Sequence, residues 1–148
     1  MLSDVTSYTT YVTKSVKLPQ ELKKKQLSPK QNKFLHFRRG NLGEKIAQAH
    51  LKQKGYLIID SNVLLQKKEI DIVCLDQDND ELVFVEVKTR LSSKHGHPSE
   101  AVNKQKLKKL AEAARQFCRY KRLAKPYRFD IISVLPGKVE HFENVTWP

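Results

Sequence analysis

Three charged residues set inside two apolar runs are where chemistry could sit. Asp71 stands in Lys68-Glu69-Ile70-Asp71-Ile72-Val73, and Glu86 and Lys88 stand in Val83-Phe84-Val85-Glu86-Val87-Lys88. Both runs are short, rich in β-branched residues and bounded by turn formers, so each reads as a strand. Asp76-Gln77-Asp78-Asn79-Asp80 lies between them, a polar cluster that reverses a chain, and the pair reads as a hairpin. Side chains alternate along a strand, so Glu69 shares a face with Asp71, and Glu86 with Lys88. If paired positions sum to 157, Asp71 lies opposite Glu86, Glu69 lies opposite Lys88, and Gln77 to Asp80 form a four-residue loop. A slip of one residue would turn Asp71 to the other face. We adopt the odd register. Facing carboxylates repel each other, and a divalent cation between them removes that penalty. The chemistry on offer is that of a hard metal ion held by two carboxylates, with a lysine beside it.

The elements that must position these residues follow from the rest of the chain. Asn41 to Lys54 reads as a first helix, with Leu42, Ile46, Ala49 and Leu51 at roughly helical spacing and Gly55 as its stop. Asn41-Leu42-Gly43-Glu44 has the form of a capping box, which is one role for Glu44. His50 reads as surface or core filler. Tyr56 to Asp60 makes a first strand, and Ser61-Asn62 leads into the hairpin. Along the hairpin Val73 and Phe84 continue the charged face, while Ile70, Ile72, Val83, Val85 and Val87 make up the other. Near the turn both faces are apolar, so these strands should be covered on both sides.

Arg90 to Pro98 reads as a loop facing substrate, with Arg90 and Lys94 available to phosphate; the His95-Gly96-His97 pair lacks a third soft ligand and is a weak zinc candidate. Asn103 can cap a long second helix running to about Arg122, with Leu107, Leu110, Ala111, Ala114 and Cys118 as its core stripe. Lys104, Lys106, Lys108, Lys109, Arg115, Arg119 and Arg122 decorate the rest, offset only by Glu112, and point to phosphate contact. Tyr127 to Leu135 is a further strand, Pro136-Gly137 a turn, and Lys138 to Val145 a last strand; Trp147 should close one end of the core. The fold class is therefore α/β, with a mixed sheet and helices on both faces.

Charge sharpens the reading. Twenty-eight Lys and Arg against 16 Asp and Glu give 148 residues a net charge of +12, the electrostatic footprint of a polyanion partner. Residues 1–39 carry nine basic residues against Asp4 and Glu21, and show neither helical nor strand periodicity. They read as a mobile basic extension, either an arm for non-specific phosphate contact or a solvated tail. Residues 40–148 are the folded domain, and the chain is long enough for one core. Cys74 and Cys118 show no CxxC spacing and read as buried thiols in a reducing compartment. No apolar run approaches a membrane span and no signal-peptide core follows Met1, so the expected location is the cytoplasm, with no membrane contact.

Asp71 followed by Glu86-Val87-Lys88 resembles the D…(D/E)-X-K signature of the restriction-endonuclease-like, or PD-(D/E)XK, nuclease fold. The closer likeness is to the YraN-like family of small bacterial proteins assigned to that fold. It is carried in order by Gly43-Glu44, Glu69-Ile70-Asp71, Phe84-Val85-Glu86-Val87-Lys88-Thr89-Arg90, Gly96, Glu100-Ala101-Val102, Lys104-Gln105 and Arg128-Phe129-Asp130. One departure is Lys68, where the family usually has Gly; it places a cation near the substrate. The resemblance implies a three-layer α-β-α fold with a central mixed β-sheet. It further implies magnesium or manganese held by Asp71, Glu86 and the Val87 carbonyl, with Glu44 facing the metal from the first helix.

Lys88 is then placed to stabilise charge on a phosphate or to orient a water, and Glu69 either holds Lys88 or forms a plain cross-strand salt bridge with it. The neighbouring carboxylates should favour the ammonium form of Lys88, against a role as base. Gln105 occupies a place where related nucleases often carry Gln or Lys, although capping or exposure also accounts for it. Asp130 reads as structural, holding a backbone group or an Arg. The implied activity is metal-dependent hydrolysis of phosphodiester bonds in DNA, with branched or damaged DNA as the analogy suggests. Lys68, Arg90, Lys94, Lys104, Gln105 and Lys108 are the nucleic-acid contacts this reading expects. Two other readings stand beside it: a catalytically silent nucleic-acid-binding module, and a basic protein–protein adaptor. A homodimer of two copies is compatible with the sequence.

Overall fold

Two successive hairpins build the centre of the protein. The computed structural model describes residues 29–90 and 104–145, with backbone alone for 30–39. Strand β1 (Leu57–Leu65) turns into β2 (Lys68–Asp76), which turns into β3 (Glu81–Thr89). In the second hairpin Ile72 faces Val85, Val73 faces Phe84 and Cys74 faces Val83, so paired positions sum to 157 and Gln77 to Asp80 form the loop. That is the register on which the carboxylate pairing depends. Helix α2 (Lys104–Lys121) then crosses over, and β4 (Tyr127–Leu135) joins β3 in parallel before β5 (Lys138–Phe142) returns antiparallel. The result is a mixed five-stranded sheet in the order β1-β2-β3-β4-β5.

One helix covers each face, as expected. Helix α1 (Pro29–Gln53) lays Ile46, Ala47 and Leu51 on Ile72, Cys74, Val83, Val85, Ile132 and Val134. Helix α2 lays Leu110, Ala113, Ala114 and Phe117 on the opposite side, against Ile70, Val73, Leu82, Phe84 and Phe129. Phe84 is the hub there, edge-on to Phe117 at 5.8 Å and to Tyr127 at 5.6 Å between ring centroids. Such pairs add roughly 0.5–1.5 kcal/mol each beyond area burial.

Several boundaries differ from the sequence reading. Helix α1 begins at Pro29, not Asn41, so the basic run to Arg39 is helical in backbone where an irregular extension was expected. Its end follows the expected glycine stop: Gly55 has φ 88°, and the Tyr56 amide reaches back to the Leu51 carbonyl at 3.0 Å. Strand β1 continues through Ser61-Asn62 to Leu65, and the chain reverses instead at Gln66-Lys67, both with positive φ. Two left-handed central residues are what a two-residue hairpin of matching twist requires, and neither Gln nor Lys advertises it. The α2 stripe includes Ala113 and Phe117, while Ala111 and Cys118 sit at its margin. Strand β5 ends at Phe142; beyond it Val145 donates its amide to Phe129 at 2.8 Å.

Ile70 also changes sides. It packs under α2 with Val73, while Ile72 packs under α1. The alternation breaks at Asp71, opposite Asn62, which adopts a left-handed φ of 53° inside β1. Residues 1–28, 91–103 and 146–148 lie outside the described residues, and with them Lys94, the His95–His97 pair, Asn103 and Trp147.

Candidate metal and phosphate site

The β2–β3 ladder ends at Ile72 and Val85, and Asp71 stands one residue beyond that end. There its Oδ2 accepts the Val87 amide at 2.7 Å, a side chain serving a β3 amide where the strand pairing has stopped. Burial, and then the field of Glu86, raise the Asp71 carboxyl to about 6; the Val87 hydrogen bond opposes this, and Glu44 and Glu69 add to it. The two carboxylates of the signature are thus neighbours.

Glu86 is held by two cations. Lys88 Nζ and Lys106 Nζ each lie 2.5 Å from its Oε1. Burial alone would raise Glu86, but hydrogen bonds from Lys106 and Lys88 outweigh it and hold the carboxyl below its ordinary value. Lys88 is lowered, because burial and the nearby Lys106 charge outweigh the attraction of Glu86. Glu86 favours the ammonium, as expected from a carboxylate neighbour, but burial and the second lysine outweigh it in the net direction. Lys106 is itself raised, since Glu86 and Asp71 outweigh its own burial.

Glu44 approaches from α1. Because that helix starts at Pro29, Asn41 and Glu44 are interior residues and the capping-box role is overturned. Gly43 explains how the helix comes so near. A Cβ there would stand 1.9 Å from Oγ1 and 3.2 Å from Cβ of Thr89, the last residue of β3, so any larger residue would require Thr89 or the helix to shift. The Gly-Glu pair therefore docks α1 on the end of the strand that bears Glu86 and Lys88, and puts the Glu44 charge within reach of Asp71.

The donor set can be tested for a metal. Among the described residues no three His, Cys, Asp or Glu side chains converge into a cage. Two oxygen-bearing side chains, one with its proton affinity raised by burial and then by the other's charge, fit a hard ion that completes its shell with water and substrate oxygens.

The remaining predicted residues fall in different places. Lys68 Nζ pairs with Glu112 on α2 at 2.7 Å. Glu69 is exposed and lies across from Leu64 of β1, and no hydrogen bond or ion pair joins it to Lys88. The support expected from Glu69 comes instead from Glu86. Arg90 donates its amide to the Val134 carbonyl at 2.9 Å, just past β3. Lys104, Gln105 and Lys108 are exposed on α2. The residue of α2 that reaches the site is Lys106, which the sequence reading placed only among the surface charges. Its signal was available: Lys106, Leu110, Ala113 and Phe117 lie in one helical row, so a lysine heads the core stripe.

A separate polar cluster explains Arg128 and Asp130. Fully buried Asp130 accepts bonds from Arg128 Nε at 3.1 Å and the Asn144 amide at 2.9 Å, and pairs with His141 Nε2 at 2.8 Å. Arg128 also reaches Asp76 at 2.8 Å and Glu81 at 3.0 Å. Asp130 thus holds both an arginine and a backbone group, the structural role read from the sequence.

Comparison with known proteins finds relatives in sequence. The model of a family described as "Uncharacterised protein family UPF0102" matches residues 43–134. A UPF0102 protein of Thermodesulfovibrio yellowstonii is 40% identical over 105 residues, covering 71% of this chain and 92% of the relative. One from Alkaliphilus oremlandii is 41% identical over 112 residues, covering 71% and 94%. One from Chlorobaculum tepidum is 44% identical over 104 residues, covering 68% and 78%.

Proposed function

The chain belongs to the UPF0102, or YraN-like, family, and from the geometry of its carboxylates we propose that it is a metal-dependent nuclease hydrolysing phosphodiester bonds of DNA. The observation that carries this reading is Asp71 beside Glu86, with Lys88 on the same strand as Glu86. We read the mixed sheet with a helix on each face as a restriction-endonuclease-like fold, which the order Asp71, Glu86, Lys88 supports.

Asp71 and Glu86 would hold magnesium or manganese, with the Val87 carbonyl as a further oxygen. When bound, the ion supplies Lewis acidity toward the phosphate and lowers the pKa of a coordinated water. The chain's own residues do the rest. The Val87 amide fixes the Asp71 carboxylate at the end of the ladder. Lys88, half-buried, faces the phosphate with a charge worth more there than in water. Lys106 shares Glu86 with Lys88 and adds a second cation beside the site. Glu44 adds negative charge that favours a dication beside Asp71. Arg90, Lys104 and Lys108 extend the cationic surface expected to meet the DNA backbone, with Gln105 beside Lys104; Lys94, outside the described residues, is expected to contribute from sequence alone.

The test is incubation of purified protein with linear, flapped and branched DNA, with and without manganese, beside Asp71→Asn. Cleavage that needs manganese and vanishes in the variant supports the reading. Cleavage retained by the variant, or absent from the native protein on every substrate, overturns it. Salt-sensitive binding without cleavage would leave the silent-module reading in its place. No salt-sensitive affinity for any nucleic acid would favour the adaptor.

A further inference from the structure

Among the described residues Tyr120 is the most exposed of the large hydrophobic side chains, at 76%, and it stands in an unusual setting. The exposed positions of α2 are Lys104, Gln105, Lys108, Lys109, Arg115, Arg119, Tyr120 and Lys121. All but Gln105 and Tyr120 are basic. An isolated surface tyrosine needs no explanation. An aromatic ring set alone in a cationic strip does, because that combination suits unpaired nucleic-acid bases, which stack on a ring while their phosphates meet the charges.

Position along the helix ties this ring to the candidate site. Tyr120 follows Lys106 by fourteen residues, just short of four turns, so the two emerge on one flank of α2 with Lys109 between them. At 1.5 Å per residue the separation is about 21 Å, the span of about six stacked nucleotides. The flank borders the β1–β2 turn, since Glu112 pairs with Lys68 and Gln116 bonds to Gln66, and it brings exposed Lys67 alongside the same path. Lys121 Nζ, paired with Asp60 at 3.4 Å, lies over one face of the Tyr120 ring, 5.9 Å from its centroid, and leaves the other face for a base.

We propose that this flank of α2 is a track for single-stranded nucleic acid running from the carboxylate site to Tyr120, with Tyr120 as its stacking platform. The inference rests on the nucleic-acid reading above and specifies its substrate class: strands with unpaired bases, as in a flap, a gap or an open branch.

Binding measured without metal separates this inference from the nuclease reading. Labelled oligothymidylate and a duplex of equal length are titrated by fluorescence anisotropy, in chelator, against native protein, Tyr120→Ala and Tyr120→Phe. Tyr120→Ala is expected to weaken oligothymidylate binding about tenfold, the scale of one lost base–aromatic stack. Duplex affinity should change less than twofold, and Tyr120→Phe should bind like the native protein. Circular dichroism melting confirms that both variants fold, which an exposed position leads one to expect. Equal loss on both probes, or none on either, overturns the track while leaving the carboxylate site untouched. Loss of self-association in Tyr120→Ala, with oligothymidylate binding unchanged, overturns it in favour of a contact between copies of the chain. Failure of the native protein to bind either probe overturns the track, while cleavage with manganese decides the nuclease reading separately.

Discussion

Asp71 Oδ2 accepts the Val87 amide at 2.7 Å where the β2–β3 ladder has stopped, so the first carboxylate of the signature is fixed by the strand that carries the second. The arrangement is costly in the protein alone. The Asp71 proton is held more tightly in the fold, near pH 6, than at the ordinary 3.8, chiefly through burial and Glu86. Its contribution to stability is therefore fully present below 3.8 and is lost as pH rises through about 6. Asp71→Asn keeps the acceptor for Val87 without the charge. In chelator at neutral pH it should be more stable than the native protein by on the order of 2 kcal/mol, a gain that fades in acid. Urea denaturation across that pH range checks this; equal stability of the two proteins at neutral pH would contradict it.

Manganese should reverse the ranking. An ion that binds only the folded state raises the melting temperature with concentration, and it should do so for the native protein and not for Asp71→Asn. Thermal melts over a manganese series provide the comparison.

Lys88 and Lys106 touch the same Glu86 oxygen but should fail differently when removed. Lys88→Met removes charge that acts on the phosphate, so turnover should fall by about 10²–10³ with little change in KM. Lys106→Met removes a competitor for Glu86, so the half-saturating manganese concentration should drop several-fold. Steady-state cleavage at varied metal and varied DNA separates the two effects.

Gly43→Ala drives a methyl group into Thr89, with 1.9 Å to its Oγ1 and 3.2 Å to its Cβ. The expected result is a melting temperature lowered by several degrees and weakened manganese binding, as α1 and Glu44 shift from the end of β3. Thr89→Ala in the same chain removes the worse contact but keeps the Cβ, so recovery should be partial. A double-mutant cycle measures it.

Arg128→Met should be the most damaging single change. It removes the cation that Asp76 and Asp130 share in the interior, and breaking such a buried network costs about 3–5 kcal/mol. Burial would raise Asp76, yet hydrogen bonds from Arg128 and Asn79 bring it to about 2. Its stabilising contribution is present above 3.8 and is lost as pH falls through about 2. The variant should therefore unfold at higher pH on acid titration than the native protein.

The hairpin register was legible because turn length and alternating charge both fix it: Asp76 to Asp80 can close only a short loop, and one slip would bury Glu86 differently. Gly43 and Asp130 stood out in the sequence as parts of motifs. Their physical roles, a close helix–strand approach and a buried anchor for Arg128, appear only when distant strands meet. The turn at Gln66-Lys67 was hidden because neither residue favours positive φ. Ile70 was assigned to the wrong face because alternation was carried through Asp71, where the left-handed Asn62 opposite interrupts it. Lys106 was overlooked because one more lysine in a basic helix carries no signal until the helical row containing Leu110 and Phe117 is drawn.

Crystals grown without metal and then soaked in manganese, read by anomalous scattering, address the central claim most directly. One peak is predicted beside Asp71 and Glu86, within about 2–2.6 Å of a carboxylate oxygen of each, with Lys106 displaced from Glu86. A peak elsewhere, or none there with both lysines still on Glu86, would contradict the claim that these carboxylates are built to share an ion.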